Sequence, residues 1–259
     1  MKRSFLRPFF VLVIAFGAIS MCFAVTASNI IRNLTAPLPS DATASPAPAE
    51  ITVVIDAGHG GEDGGAVSAD GICEKNVNLQ IASILCDTLR ERGIRVIMTR
   101  TEDVLLYDRT VDYQGRKKAL DLAARKKIAE ESGSCIFVSI HLNSFPLTQY
   151  RGLQVWYSKN DPASFALAEA IRTTVKTSLQ PENNRACKAA TSSIYLLHHL
   201  HVPAVLVECG FLSNPEEAAL LADENYQREL AGTLADAIVG YLQSTSRETL
   251  RADYFLQTA

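Results

Sequence analysis

Short apolar runs rich in β-branched residues alternate with amphipathic segments between residues 51 and 242, and this alternation restricts the possible folds more than any other feature. The apolar runs are bounded by turn-forming residues and predict buried strands. The amphipathic segments repeat their apolar side chains at helical spacing. A strand–helix–strand succession is typical of parallel sheets with crossover helices. We therefore expect α/β architecture, with a single domain and a mostly parallel β-sheet flanked by helices on both faces.

The predicted elements follow one another in a regular order. Strands are expected at residues 51–55, 94–99, 135–140, 153–158 and 204–208. Helices are expected at residues 76–91, 116–132, 162–178 and 226–242, with a short helix at 193–200. The stretches between them, including residues 100–114 and 180–191, are polar and are expected to be loops.

The first 50 residues differ in composition from the rest of the chain. Three basic residues precede an uncharged apolar run at residues 9–25, which predicts an export signal that is either cleaved or retained as a membrane anchor. The segment after it is rich in Pro, Ala and Ser, which predicts a linker. We therefore expect an exported protein that is secreted or anchored in the membrane. The expected division of the chain is an export segment at 1–27, a linker at 28–50, a folded domain at 51–243 and a polar tail at 244–259.

Charge and cysteine usage argue against two classes of protein. The formal net charge of −3 and the isoelectric point near 6.0 give no sign of the clustered basic surface that is typical of nucleic-acid binding. Five cysteines follow the predicted export segment at irregular spacing, and an odd count argues against a disulfide framework. We therefore expect no nucleic-acid partner, and membrane contact only through the N-terminal segment.

Four polar side chains lie at the ends of predicted elements. His59 follows the first strand within a glycine-rich turn, His141 and Glu208 end two further strands, and Glu74 begins a helix. Ligands of open parallel sheets collect outside the carboxyl ends of the strands, so we expect these segments to converge. Two histidines and a carboxylate suit a catalytic zinc ion, which takes three protein ligands and leaves one position for water. A second, non-ligating glutamate can then transfer protons.

Four motifs occur in order along the chain: DAGHGG at residues 56–61, EK at 74–75, SIHLN at 139–143 and VECGFLSN at 207–214. With these motifs the chain resembles the zinc-dependent N-acetylmuramoyl-L-alanine amidases over residues 51–242. The resemblance implies one zinc ion per chain, held by His59, Glu74 and His141, and it implies that Glu208 transfers protons. It also implies a peptidoglycan substrate, cut at the amide bond between the lactyl group of N-acetylmuramic acid and L-alanine.

A narrower resemblance is to the germination-specific amidases of endospore formers. It depends on RKK at residues 116–118, DL at 121–122, Arg125, NR at 184–185 with Lys188, and IYLL at 194–197. It implies a role in spore cortex maturation, in which peptides are removed so that a partner deacetylase can form muramic δ-lactam. It also implies a location between the forespore membranes. We find no wall-binding repeat in the sequence, which motivates the hypothesis that an accessory protein activates the enzyme.

Two other functions are compatible with these residues. His59 and Glu62 form an H-x-x-E pattern upstream of His141, as in metallocarboxypeptidases, in which case Glu62 rather than Glu74 would bind zinc. A non-catalytic peptidoglycan-binding module could also keep the fold, although such a protein is expected to have lost at least one site residue. Asp56 is expected either to orient a metal ligand or to cap the glycine turn.

Overall fold

The computed structural model describes residues 51–108, 110 and 113–258, with side chains described as far as residue 246. The predicted export segment and linker, residues 1–50, lie outside the described residues. The strands are β1 (Thr52–Ala57), β2 (Val96–Met98), β3 (Cys135–Asn143), β4 (Gln154–Tyr157), β5 (Lys188–Ala189) and β6 (Ala204–Phe211). The helices are α1 (Glu74–Glu91), α2 (Lys117–Glu131), α3 (Ala163–Ser178), α4 (Tyr195–His199), α5 (Pro215–Ala222) and α6 (Glu224–Thr258). Among these helices, none combines the length and the apolar character that crossing a membrane requires.

The strands form one sheet in the order β2-β1-β3-β6-β4-β5. β1 is parallel to β2 and β3, β3 is parallel to β6, and β4 is parallel to β5. Only the pairing of β4 with β6 is antiparallel among the described strands. The prediction of an α/β domain with a mostly parallel sheet is therefore confirmed. Because β1, β3 and β6 are parallel neighbours, the loops that follow them meet at one edge of the sheet.

Alternate residues of the central strands cover opposite faces of the sheet. One face, which includes Val138 and Val207, packs against the apolar sides of α1, α3 and α6. The other face, which includes Val54, Phe137 and Ala204, packs against α2 and α4. The predicted helices on both faces are thus confirmed. On the second face the strands become polar toward their carboxyl ends, and the candidate site lies on this polar part.

Two short elements, α5 and β5, were not predicted from the sequence. Helix α5 begins after Asn214, whose side chain accepts a hydrogen bond from the Glu217 N–H at 3.0 Å, and Pro215 occupies its first turn. An asparagine followed by proline is a recognisable start of a helix, so a signal for α5 is present. Strand β5 lies within the predicted loop 180–191 and has two residues, too few to show any periodicity.

Helix α6 is longer than predicted. The sequence analysis ends this helix at residue 242 and assigns residues 244–259 to a polar tail, whereas the helix continues to Thr258. No glycine or proline follows Gly240 in the sequence, so no residue that commonly ends a helix interrupts it. The fading apolar pattern after residue 242 therefore does not mark the end of the helix.

Candidate metal centre and active site

The loop between β1 and α1 brings His59 and Glu74 to the carboxyl edge of the sheet. His59 has a positive φ of 61°, a conformation that residues other than glycine rarely adopt. A Cβ on the following residue, Gly60, would overlap the carbonyl of Val104. Glu74 is the first residue of α1, and its N–H donates to the Ala66 carbonyl at 2.9 Å. The loop therefore folds back on itself and places both side chains close together.

His141 on β3 completes the cluster. Glu74 Oε1 lies 3.0 Å from His141 Nδ1 and 3.3 Å from His59 Nε2. One potential ligand atom from each of the three residues lies within 4.8 Å of the others. Two imidazoles and a carboxylate form a ligand set that zinc takes in catalytic sites. The structure thus brings together the three predicted ligands, and their binding of a metal ion stays a prediction.

The cluster keeps its carboxylate ionised. Burial opposes ionisation of Glu74, but hydrogen bonds and charges from His141 and His59 hold its pKa well below the usual range. Burial likewise disfavours the charged form of His59, but Glu74 and Asp63 raise its pKa above the ordinary value. Metal ligands must be deprotonated, and Glu74 fulfils this condition at physiological pH.

Two glycines allow the ligand side chains to lie directly against the backbone. A Cβ on Gly58 would overlap the ring of His141. A Cβ on Gly65 would lie 2.7 Å from Cδ2 of His59, which is closer than Cβ atoms approach their neighbours. Any larger residue at either position would displace a ring. The glycines thus hold the two rings in place, and the ligand types at this spacing fit a zinc ion.

Glu208 lies on β6 beside the cluster without belonging to it. It is paired with His141 in the parallel ladder between β3 and β6, so both side chains project from the same face. Its Oε2 is buried and has no hydrogen-bond partner among the described residues. Burial raises the pKa of Glu208 to about 7, although the charge of His141 opposes the shift. An acid with a pKa near neutrality can both accept and donate a proton.

A cavity of about 250 Å³ opens beside His59, His141 and Glu208. Another part of its wall comes from α2, α4 and the residues just before α4, and it includes the apolar side chains of Leu122 and Ile194. Apolar walls with a few convergent polar groups are typical of substrate sites. The cavity therefore gives part of a substrate access to Glu208 and to the cluster.

The alternative ligand Glu62 does not join the cluster. Its side chain is 63% exposed, and Oε1 forms an ion pair with Lys117 Nζ at 2.6 Å. Glu74, in contrast, contacts both candidate histidines. The geometry therefore favours Glu74 as the third ligand and gives no support to the metallocarboxypeptidase alternative.

Among the described residues, the hydrogen bonds of the Asp56 carboxylate go neither to a candidate ligand side chain nor to the glycine turn. Asp56 reaches a candidate ligand through Arg125, whose Nη2 donates to the His59 carbonyl at 2.6 Å. Its carboxylate is buried and accepts hydrogen bonds from Thr99, Ser139 and Arg125 at 2.6–2.7 Å. Burial opposes its ionisation, but the guanidinium of Arg125 and these hydrogen bonds lower the pKa of Asp56. These hydrogen bonds join β1 to the residue that follows β2, to β3 and to α2 at the wall of the cavity.

The sequence analysis missed Asp63. Its Oδ1 lies 3.0 Å from His59 Nδ1, the ring nitrogen that faces away from Glu74. Metal-binding histidines commonly donate their second N–H to a carboxylate, which fixes the ring orientation. An aspartate four residues after a candidate ligand histidine was a signal that could have revealed this contact.

Comparison with known sequences finds relatives over most of the described domain. A sequence profile of N-acetylmuramoyl-L-alanine amidases matches residues 53–239. The germination-specific N-acetylmuramoyl-L-alanine amidase of Bacillus subtilis is 36% identical over 189 residues, which cover 73% of this chain and 78% of the relative. The N-acetylmuramoyl-L-alanine amidase AmiA of Escherichia coli is 30% identical over 241 residues, which cover 73% of this chain and 75% of the relative.

Solved structures with the same architecture extend this result. The CwlD amidase from Clostridioides difficile, solved in complex with the GerS lipoprotein, matches with a TM-score of 0.71 and 39% identity. This match covers 75% of this chain and 99% of the other chain. The N-acetylmuramoyl-L-alanine amidase AmiC2 of Nostoc punctiforme matches with a TM-score of 0.63 and 34% identity, over 75% and 98% of the two chains.

Proposed function

The chain belongs to the N-acetylmuramoyl-L-alanine amidase family, and on this basis we propose that it uses one zinc ion to hydrolyse peptidoglycan between N-acetylmuramic acid and L-alanine. The observation that carries the proposal is the convergence of His59, Glu74 and His141 within 4.8 Å of one another. Glu208, with an unpartnered buried oxygen, lies beside them. A non-catalytic binding module would have no need for this combination.

In this proposal His59, Glu74 and His141 hold the ion. When bound, zinc supplies Lewis-acid activation of a water molecule and of the scissile carbonyl. The Asp63 carboxylate accepts a hydrogen bond from the Nδ1–H of His59 and so fixes the orientation of the ring. Glu74 contributes one negative charge, which partly balances the charge of the ion.

Glu208 transfers the proton of the reaction. Its ionised carboxylate accepts a proton from water as the water oxygen bonds to the lactyl carbonyl carbon. The carbon–nitrogen bond then breaks, and the Glu208 carboxyl group delivers the proton to the nitrogen of L-alanine, which leaves as a free amine. In the metal-free protein burial raises the pKa of Glu208 to about 7, and the charge of a bound ion would favour the carboxylate form that accepts the proton from water.

The zinc assignment is tested by measuring metal content. We expect about one zinc per chain in the purified full-length protein, and loss of zinc in His59→Ala, Glu74→Ala and His141→Ala. Glu62→Ala is the matched control, because it removes a nearby glutamate that faces solvent. Zinc loss in Glu62→Ala together with retention in Glu74→Ala would restore the carboxypeptidase alternative.

In the same proposal, the peptidoglycan on which the amidase acts is the spore cortex. Similarity to the germination-specific amidase of Bacillus subtilis supports cortex maturation toward muramic δ-lactam, with a deacetylase acting in sequence. One structural relative is solved in complex with a lipoprotein, which supports an accessory partner for this chain as well. The enzyme would act outside the cytoplasmic membrane, between the forespore membranes in a spore former.

Cortex specificity can be measured with two substrates. Purified cortex peptidoglycan and vegetative peptidoglycan from one endospore former are digested in parallel, with and without the candidate accessory lipoprotein of that organism. We expect faster peptide release from cortex material and a further increase with the partner. Equal rates on both substrates would contradict the cortex assignment and leave the amidase activity intact.

A further inference from the structure

Arg100, two residues beyond the end of β2, is a buried cation whose hydrogen bonds go to backbone carbonyls. The residue is 3% exposed. Its Nε donates to the Ala57 carbonyl at 2.8 Å, and Nη1 donates to the Glu102 carbonyl at 3.0 Å. Its Nη2 donates to the carbonyls of Gly58 at 2.9 Å and Lys75 at 2.8 Å. Within the described residues Arg100 forms no ion pair.

Gly58 and Lys75 are the direct chain neighbours of His59 and Glu74. A single nitrogen, Nη2 of the guanidinium, therefore connects the segment that carries one candidate ligand to the helical turn that carries another. Along the chain these segments are separated by the polar loop between β1 and α1. The guanidinium thus fixes the spacing of two ligands without touching either side chain.

This arrangement is costly for the fold. Burial lowers the pKa of Arg100, and the neighbouring charge of Arg125 lowers it further. Four hydrogen bonds to carbonyls offset this cost, because an apolar side chain of similar size would remove a donor from each of those acceptors. Two of the four carbonyls belong to the segments that carry His59 and Glu74, which indicates what the guanidinium holds together.

We propose that Arg100 is a positioning residue that raises the zinc affinity of the site by holding His59 and Glu74 at their bound spacing. The inference rests on the proposed zinc site. Ligands that are already in place do not have to be ordered when the ion binds, which strengthens binding. The positive charge of Arg100 acts in the opposite direction, because it repels a cation. Removal of Arg100 should therefore weaken zinc binding if positioning dominates, and strengthen zinc binding if charge repulsion dominates.

The test measures the zinc dissociation constant of the full-length protein by competition with a chromophoric chelator. Arg100→Met should weaken zinc binding about 10–100-fold, the range found when groups that orient metal ligands are lost. Arg100→Lys keeps the charge but lacks the planar fork that reaches several carbonyls, so it should also weaken binding. If Arg100→Met does not fold, Arg100→Lys decides the question.

Val175→Ala is the control for general loss of stability. Val175 is fully buried in the core on α3, on the opposite face of the sheet. It should lower the melting temperature of the chelated protein and leave the zinc dissociation constant unchanged. Zinc binding by Arg100→Met within about threefold of wild type, or tighter, would overturn this inference alone. A wild-type protein that binds no zinc would overturn the proposed zinc site as well.

Discussion

Replacement of Glu208 by glutamine should stabilise the zinc-free protein at alkaline pH. Burial raises the pKa of Glu208 from the ordinary value of 4.5 to about 7 in the folded state. Between these values the folded protein binds more protons than the unfolded chain, so stability falls as pH rises. Each pKa unit corresponds to about 1.4 kcal/mol, so the loss is about 3 kcal/mol once the pH exceeds 7. Glutamine stays neutral and does not incur this loss.

The measurement is urea unfolding in the presence of a chelator at pH 5 and pH 8, followed by circular dichroism. The free energy of unfolding of Glu208→Gln relative to wild type should increase by about 2–3 kcal/mol between the two pH values. Glu91→Gln makes the same chemical change at an exposed position of α1 and should alter stability by less than about 0.5 kcal/mol at either pH. If the difference in unfolding free energy between Glu208→Gln and wild type is the same at pH 5 and pH 8, burial does not shift the Glu208 pKa as described.

Three further substitutions test separate parts of the site. With zinc bound, Glu208→Gln should lower kcat by about 10²–10⁴-fold in a peptide-release assay and leave the zinc content unchanged; substantial activity would exclude Glu208 as the proton-transfer residue. Gly58→Ala should weaken zinc binding in a chelator competition, because the new Cβ overlaps the ring of His141, and unchanged affinity would show that the ring can move. Arg125→Met breaks an ion pair with Asp56 at 2.7 Å between side chains that are 1% exposed, and it should lower the free energy of unfolding by about 3–5 kcal/mol in urea. A loss below about 1 kcal/mol would show that the pair contributes little.

The elements that could be predicted are those whose own residues show an apolar run or a helical periodicity. Buried parallel strands appear as continuous apolar runs, and the helices between them show clear periodicity, so the order of the main elements was evident. The antiparallel pairing of β4 with β6 could not be predicted, because the direction of β4 depends on the course of the chain after Asn143 rather than on local composition. Strand β5 is likewise defined only by its neighbour β4.

In the candidate site, too, some features could be predicted from the sequence and others could not. His59 and Glu74 stand at element boundaries within distinctive motifs. His141 and Glu208 were expected at strand ends, but β3 and β6 continue to Asn143 and Phe211, so both lie near the carboxyl ends of their strands. The convergence of all four could still be expected from the topology. The contacts that hold these four side chains in place could not be predicted, because such contacts join distant parts of the chain. Arg100 donates to carbonyls that lie 42 and 43 residues before it, a relation that only the packed structure shows.

We propose that the protein is a zinc amidase that uses Glu208 and Glu74. The most direct test is to incubate the zinc-loaded protein with purified peptidoglycan, beside Glu208→Ala and Glu74→Ala, and to identify the released fragments by mass spectrometry. We expect free peptides that begin with L-alanine from the wild type and their loss in both variants. Release of single C-terminal amino acids, or equal peptide release by wild type and Glu208→Ala, would contradict this proposal.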